Sequence, residues 1–196
     1  KLTSLPAEIG QLASLTNLRL CHNRLTSLPA EIGQLRSLEI LNLSGNQLTS
    51  VPAEIGQLRS LKGLFLAFNQ LTSVPVEIWQ LRSLWWLYLS GNQLTNLPAE
   101  IGQLTSLLRL GLENNQLTSA PAEIGQLTSL TELDFSKNNK LKSVPAFIGD
   151  LKANGCEVKL DDGVTIEGSV HSDIDVLRLW RDREPGLQRA WQGDDP

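Results

Sequence analysis

Residues 25–47 read LTSLPAEIGQLRSLEILNLSGNQ, and this stretch recurs along the chain with a period of 23 residues. Units of that length occupy 2–24, 25–47, 48–70, 71–93 and 94–116. A sixth, 117–140, carries one extra residue near Asn139, and Leu141 opens a degenerate seventh. The asparagines fall at Asn23, Asn46, Asn69, Asn92, Asn115 and Asn138, and the prolines at Pro6, Pro29, Pro52, Pro75, Pro98, Pro121 and Pro145. A fixed period of this kind predicts a solenoid, in which each unit packs only on its neighbours and the array shares one continuous core.

Each part of the unit has a physical role. Leu38, Leu41 and Leu43 form an L-x-x-L-x-L segment whose alternation predicts a short strand with the leucines inward. The asparagine behind it is expected to be buried at the turn, where its amide satisfies backbone groups of its own and the adjacent unit. The P-A-E-I-G-Q-L half begins with proline in a first-helical-turn position, and Ile32 and Leu35 then turn inward, so a short helix or 3₁₀ turn is predicted on the outer side. Strands on one face and bulkier turns on the other require the array to curve. The predicted class is α/β: a curved horseshoe with parallel strands on the concave face and short helical or 3₁₀ turns on the convex face.

The unit resembles the leucine-rich repeat, and its L-P-x-x-I half is similar to the intracellular subgroup typified by SHOC-2 and the plant Ras-group repeat proteins. The resemblance covers residues 2–163 and implies a protein-interaction scaffold, with a protein or peptide as partner. The repeat array is expected over 1–163, its first unit truncated, and a C-terminal capping segment over 164–196. There Ser172 and Asp175 resemble a capping box opening a helix near 173–183, with Ile174, Leu177 and Trp180 on one face and Pro185-Gly186 as its end. Because the chain opens inside a repeat at Lys1-Leu2-Thr3, a longer native N-terminus is expected.

The net charge of −4 resides almost wholly in residues 150–196, and no basic stripe tracks a phosphate backbone, so nucleic acid is not an expected partner. No apolar run is long enough to span a bilayer. Cys21 and Cys156 lie about six repeats apart, too far for one disulfide at a strand spacing of roughly 4.8 Å, which suits a reducing, cytoplasmic location. A monomer is expected, although an open first coil could pair edge to edge.

The motifs of catalysis are missing from the sequence: no phosphate-binding glycine loop, nucleophile elbow, C-x-x-C pair or H-E-x-x-H occurs, and the two histidines, His22 and His171, sit at opposite ends. No cofactor or metal is expected, and the chain does not read as an enzyme. Glu113, Glu132 and Asp134 fall on neighbouring strands and are the one constellation suited to acid/base work or a hard cation. A solvated acidic rim balanced by Arg109 and Lys137 is the preferred reading, and Asp161-Asp162-Gly163 reads as a turn rather than a calcium loop.

Variation between units concentrates at outward strand positions. One row reads Asn17, Ile40, Gly63, Trp86, Arg109, Glu132; a second reads Arg19, Asn42, Phe65, Tyr88, Gly111, Asp134; just beyond the strand come His22, Gly45, Phe68, Gly91, Asn114, Lys137. Phe65, Phe68, Trp86 and Tyr88 therefore cluster on the third and fourth units, with Trp85 at the edge. Gly63 and Gly111 are expected to leave gaps beside the rings, and Arg109 to lie next to Trp86, close enough for a cation–π contact. Exposed aromatics with arginine and a polar surround have the composition of an interface hot spot. The competing reading is that the rings stack across strands and stabilise the sheet. Trp79, which replaces the glycine of Gly33, Gly56, Gly102 and Gly125 on the outer turn, reads as a lone surface ring. Beyond a scaffold, the sequence allows a sensor or targeting segment of a larger signalling or immune-type protein, or less readily a glycan-binding or hydrolytic protein.

Overall fold

Leucines at alternate positions place a three-residue strand at the same phase of successive units: β1 (Asn17–Arg19), β2 (Ile40–Asn42), β3 (Gly63–Phe65), β4 (Trp86–Tyr88), β5 (Arg109–Gly111) and β6 (Glu132–Asp134). The computed structural model of the chain describes residues 1–168. Its terminal coil adds β7 (Ser143–Val144), α1 (Phe147–Ala153), β8 (Glu157–Lys159) and β9 (Thr165–Ile166). β1 to β6 and β8 form one parallel sheet in chain order, while β7 pairs with β9. The register follows the repeat: Gly63 lies beside Ile40 and Trp86, and Phe65 beside Asn42 and Tyr88.

The outer side of each of the first six coils is a five-residue 3₁₀ turn, Ala30–Gln34 being one example. Proline stands one residue before that turn, not inside it: Pro29 is extended (φ −71°, ψ 148°), and its carbonyl accepts the first bond, from Ile32 N at 3.1 Å. The ring blocks helical backbone in the residue before it and has no N–H to leave unpaired. The seventh coil replaces the 3₁₀ turn with the α-helix α1.

In the second coil Leu25, Leu28, Ile32, Leu35, Leu38, Leu41 and Leu43 are all buried, and the set repeats along the array into one core. The asparagines supply the polar counterpart. Asn46 Nδ2 donates to the carbonyls of Leu20 and Leu43, both at 2.9 Å, while its Oδ1 accepts from Leu25 N at 3.0 Å. Asn69, Asn92, Asn115 and Asn138 repeat this pattern, each bonding its own coil and the preceding one. Asn23 is half-buried and donates only within its own coil.

The last ladder position lies beyond Asn138, where Gly163 stands in phase. There the Asp161 carboxylate accepts from Lys137 N at 2.8 Å, a bond that a backbone carbonyl accepts in earlier coils, and from Asn138 N at 3.1 Å. The extra residue near Asn139 is absorbed locally, with Leu141 N bonding back to Asn138 O at 2.8 Å. The start of the segment expected as a cap contains β9, which pairs back onto β7. The expected capping box and the helix near 173–183 lie outside the described residues.

Trp79 is not a surface ring. Its side chain is fully buried, and Nε1 has no hydrogen-bond partner. The reason lies in how the outer turns approach one another. A Cβ on Gly33 would sit 2.5 Å from Glu54 O, and one on Gly56 would sit 2.7 Å from Glu77 O. Glycine is therefore the residue that lets consecutive turns close up. An indole at that phase has to enter between the fourth and fifth turns. A depression of about 280 Å³, bordered by Val74, Val76, Trp79, Pro98 and Glu100, opens at this point. The fourth and fifth coils remain joined elsewhere, with Leu89 N on Gly111 O at 2.8 Å.

Candidate functional site

The parallel register brings the variable positions into three lateral rows on the concave sheet. The first two are those read from the sequence, extended by Glu157 and Lys159 of β8. Backbone bonds from Phe68 N to Ser90 O (2.7 Å) and from Gly91 N to Glu113 O (2.9 Å) align a third row, Ser44, Ala67, Ser90, Glu113. Phe65, Phe68, Trp86 and Tyr88 do come together. Phe65 and Tyr88 stack with centroids 5.4 Å apart and planes 9° from parallel. Trp85 and Trp86 meet edge to face at 5.8 Å and 87°.

Gly63 and Gly111 do not leave gaps; the rings occupy them. A Cβ on Gly63 would lie 2.8 Å from the Phe65 ring, 2.9 Å from Ile40 Cδ1 and 3.3 Å from the Trp86 ring. One on Gly111 would lie 2.7 Å from the Tyr88 ring, 3.0 Å from Ser90 Oγ and 3.3 Å from a Glu113 carboxylate oxygen. The missing side chains let the large ones lie flat.

Trp86 thus leans toward Gly63 and away from Arg109. Arg109 turns the other way and pairs with Glu132, Nε to Oε2 at 3.6 Å, so the expected Arg109–Trp86 contact is not formed. Among the described residues the cation that does meet a ring is Lys62, with Nζ 5.4 Å from the Trp85 centroid and 3.0 Å from Glu39. Charge attraction to a carboxylate outweighs attraction to a ring quadrupole when both are in reach.

Glu113, Glu132 and Asp134 border one small hollow of about 50 Å³ together with Tyr88 and Arg109. Their circumstances differ. Glu132 sits between Arg109 and Lys159, the latter 3.0 Å away; Asp134 accepts from Ser136 N (2.9 Å) and Oγ (2.6 Å). Glu113 is half-buried, and its carboxylate has no hydrogen bond or ion pair among the described residues. The balancing cations are Arg109 and Lys159, not Lys137. Hydrogen bonds to Glu132 and Glu157 hold the Lys159 ammonium above its ordinary pKa. Among the described residues, no three His, Cys, Asp or Glu side chains are grouped to hold a metal ion. Cys21 and Cys156 are free, and burial, with Glu132 and Glu157 nearby, pushes the Cys156 thiol up.

Phe68 carries a feature that the rows of residue types do not show. The position just past each strand is left-handed, with φ between 55° and 67° at His22, Gly45, Phe68, Gly91, Asn114 and Lys137. Glycine meets that demand at Gly45 and Gly91. A bulky side chain there costs on the order of 1–2 kcal/mol. Phe68 holds that conformation with the residue 61% exposed and its ring lying against Gly91, and His22, Asn114 and Lys137 share the left-handed backbone. In the sequence only the glycines at the same phase, Gly45 and Gly91, hint at it.

Residues 13–71 and 36–94 match the family described as leucine rich repeat, and residues 105–149 match the description leucine rich repeats, two copies. No curated protein sequence matches the chain. Among solved structures, a leucine-rich repeat protein of Leptospira interrogans is 41% identical, with TM-score 0.77, over 91% of this chain and 44% of its own. The ectodomain of the Arabidopsis thaliana membrane receptor kinase GASSHO1/SCHENGEN3, in complex with Casparian strip integrity factor 2, is 34% identical, with TM-score 0.71, over 85% and 20%. An internalin of Listeria monocytogenes, 24% identical with TM-score 0.70 over 89% and 48%, shares the fold. The chain spans less than half the length of each of these three structures.

Proposed function

The chain belongs to the leucine-rich repeat family, and on that premise we propose that its concave face docks a protein or peptide partner on Phe65, Phe68, Trp85, Trp86 and Tyr88. Arg109, Glu113, Glu132 and Asp134 form the charged flank of that surface. The observation that carries the reading is Phe68, a strained residue whose ring is mostly exposed on the binding side. A large ring kept mostly exposed at a left-handed position that the coils on either side fill with glycine points to a role outside the fold. The ring composition supports it: five aromatics beside polar neighbours supply the large, rigid contact area typical of hot spots. That a receptor ectodomain of this fold holds a bound factor is consistent with the proposal.

The L-P-x-x-I spelling of the outer turns supports the intracellular SHOC-2-like subgroup, a signalling setting and a scaffold rather than a catalytic role. Two free thiols support a reducing compartment. Among the described residues, no helix is long and apolar enough to cross a membrane.

Phe68→Gly separates binding from packing. Relief of the left-handed strain is expected to leave the melting temperature unchanged or higher, while capture of a partner from lysate falls. A lower melting temperature with undiminished capture would assign Phe68 to the sheet and remove the carrying observation.

A further inference from the structure

Beside the Phe65–Tyr88 stack lies an open depression of about 290 Å³, walled by Phe65, Phe68 and Tyr88 and bordered by Ser90 and Glu113. Two polar groups stand at its edge without a side-chain partner among the described residues. The Glu113 carboxylate is half-buried and unpaired among the described residues, with Glu132 and Asp134 across the adjoining hollow adding charge of the same sign. Ser90 is 2% exposed, and its Oγ has no hydrogen-bond partner. Both approach the space above Gly111, next to the Tyr88 ring. Buried polar groups are ordinarily satisfied, and an exception calls for a missing partner.

Aromatic faces attract cations through the ring quadrupole, and a carboxylate beside them adds a charge-assisted hydrogen bond. We propose that this depression receives a cationic side chain, arginine or lysine, presented by the protein partner. The assignment rests on the concave face being the docking surface and adds what the partner must carry there. The nearby cations of the chain are committed elsewhere: Arg109 and Lys159 to Glu132, and Lys62 to Glu39.

The test titrates the isotope-labelled full chain with Nα-acetyl-arginine methylamide and with its neutral isostere, Nα-acetyl-citrulline methylamide, following the amide signals of Phe68, Gly91 and Gly111. The arginine derivative is expected to shift them saturably and to bind about tenfold more tightly than the citrulline derivative. Glu113→Gln, which breaks no bond in the fold, is expected to abolish that difference, and the lysine derivative to behave like arginine. Equal binding of charged and neutral probes, no shift with any probe, or a cation preference that survives Glu113→Gln would each overturn the assignment. Docking on the concave face is read separately: partner capture that depends on Trp86 and Tyr88 would stand even if the cation preference failed.

Discussion

Asn92→Ala is expected to lower the unfolding free energy by about 4 kcal/mol, at the top of the range for single substitutions. The amide satisfies three backbone groups at once in the middle of the array. Its Oδ1 accepts from Leu71 N at 2.9 Å, and its Nδ2 donates to Leu66 O at 3.0 Å and Leu89 O at 2.9 Å. Alanine leaves all three groups buried, and each orphan costs roughly 1–3 kcal/mol. Asn92→Asp keeps the shape and the acceptor but loses both donors and buries a charge opposite two carbonyls, so it is expected to do no better. Since a solenoid is held by nearest-neighbour interfaces, the loss also loosens the third coil from the fourth. Asn23→Ala serves as the internal control: Asn23 donates to Leu20 O and Cys21 O and accepts from Leu2 N, but it is half-buried and all three bonds lie within its own coil. Its urea midpoint is expected to fall far less. Equal losses at Asn23 and Asn92 would contradict the ladder account.

Trp79 is the second position with a large expected effect, and here alanine should be worse than glycine. Trp79→Ala removes a fully buried ring and is expected to cost about 3–5 kcal/mol. Collapse of the fourth turn onto the fifth would recover part of this, but a Cβ at that phase blocks closure, as the 2.5 Å approach to Glu54 O at Gly33 illustrates. Trp79→Gly removes the block and restores the arrangement of the other outer turns. Its loss is expected to be smaller by 1 kcal/mol or more, roughly the worth of a closed cavity. Urea midpoints of the two variants measure the difference. If glycine proved no better than alanine, the indole would be a core residue in the ordinary sense and not a wedge between turns.

The strand register and the asparagine ladder were legible in the sequence because the 23-residue period leaves little freedom. Residues of one phase must lie side by side on parallel strands, so the rows containing Trp86 and Tyr88 could be written down directly. Directions within a row were not legible. Arg109 has Trp86 on one side and Glu132 on the other, and only the packing of the tryptophan over Gly63 decides which it meets. Trp79 misled for a related reason. A large ring at an outer phase reads as surface until the spacing of adjacent turns is known, and that spacing is set by the glycines of other units. Phe68 was placed in the correct cluster, but its strain depends on a backbone angle that residue type alone does not announce.

The most direct measurement of the central claim is affinity capture from a lysate of the source organism, comparing wild type with the Trp86→Ala/Tyr88→Ala double variant. Matched circular dichroism and melting curves for the two baits must come first. Proteins retained by wild type are expected to be lost, by about 100-fold or more, with the variant, since two hot-spot aromatics are removed. Identical capture by both baits would contradict that claim, returning the aromatic rows to sheet packing and the binding surface to another part of the chain.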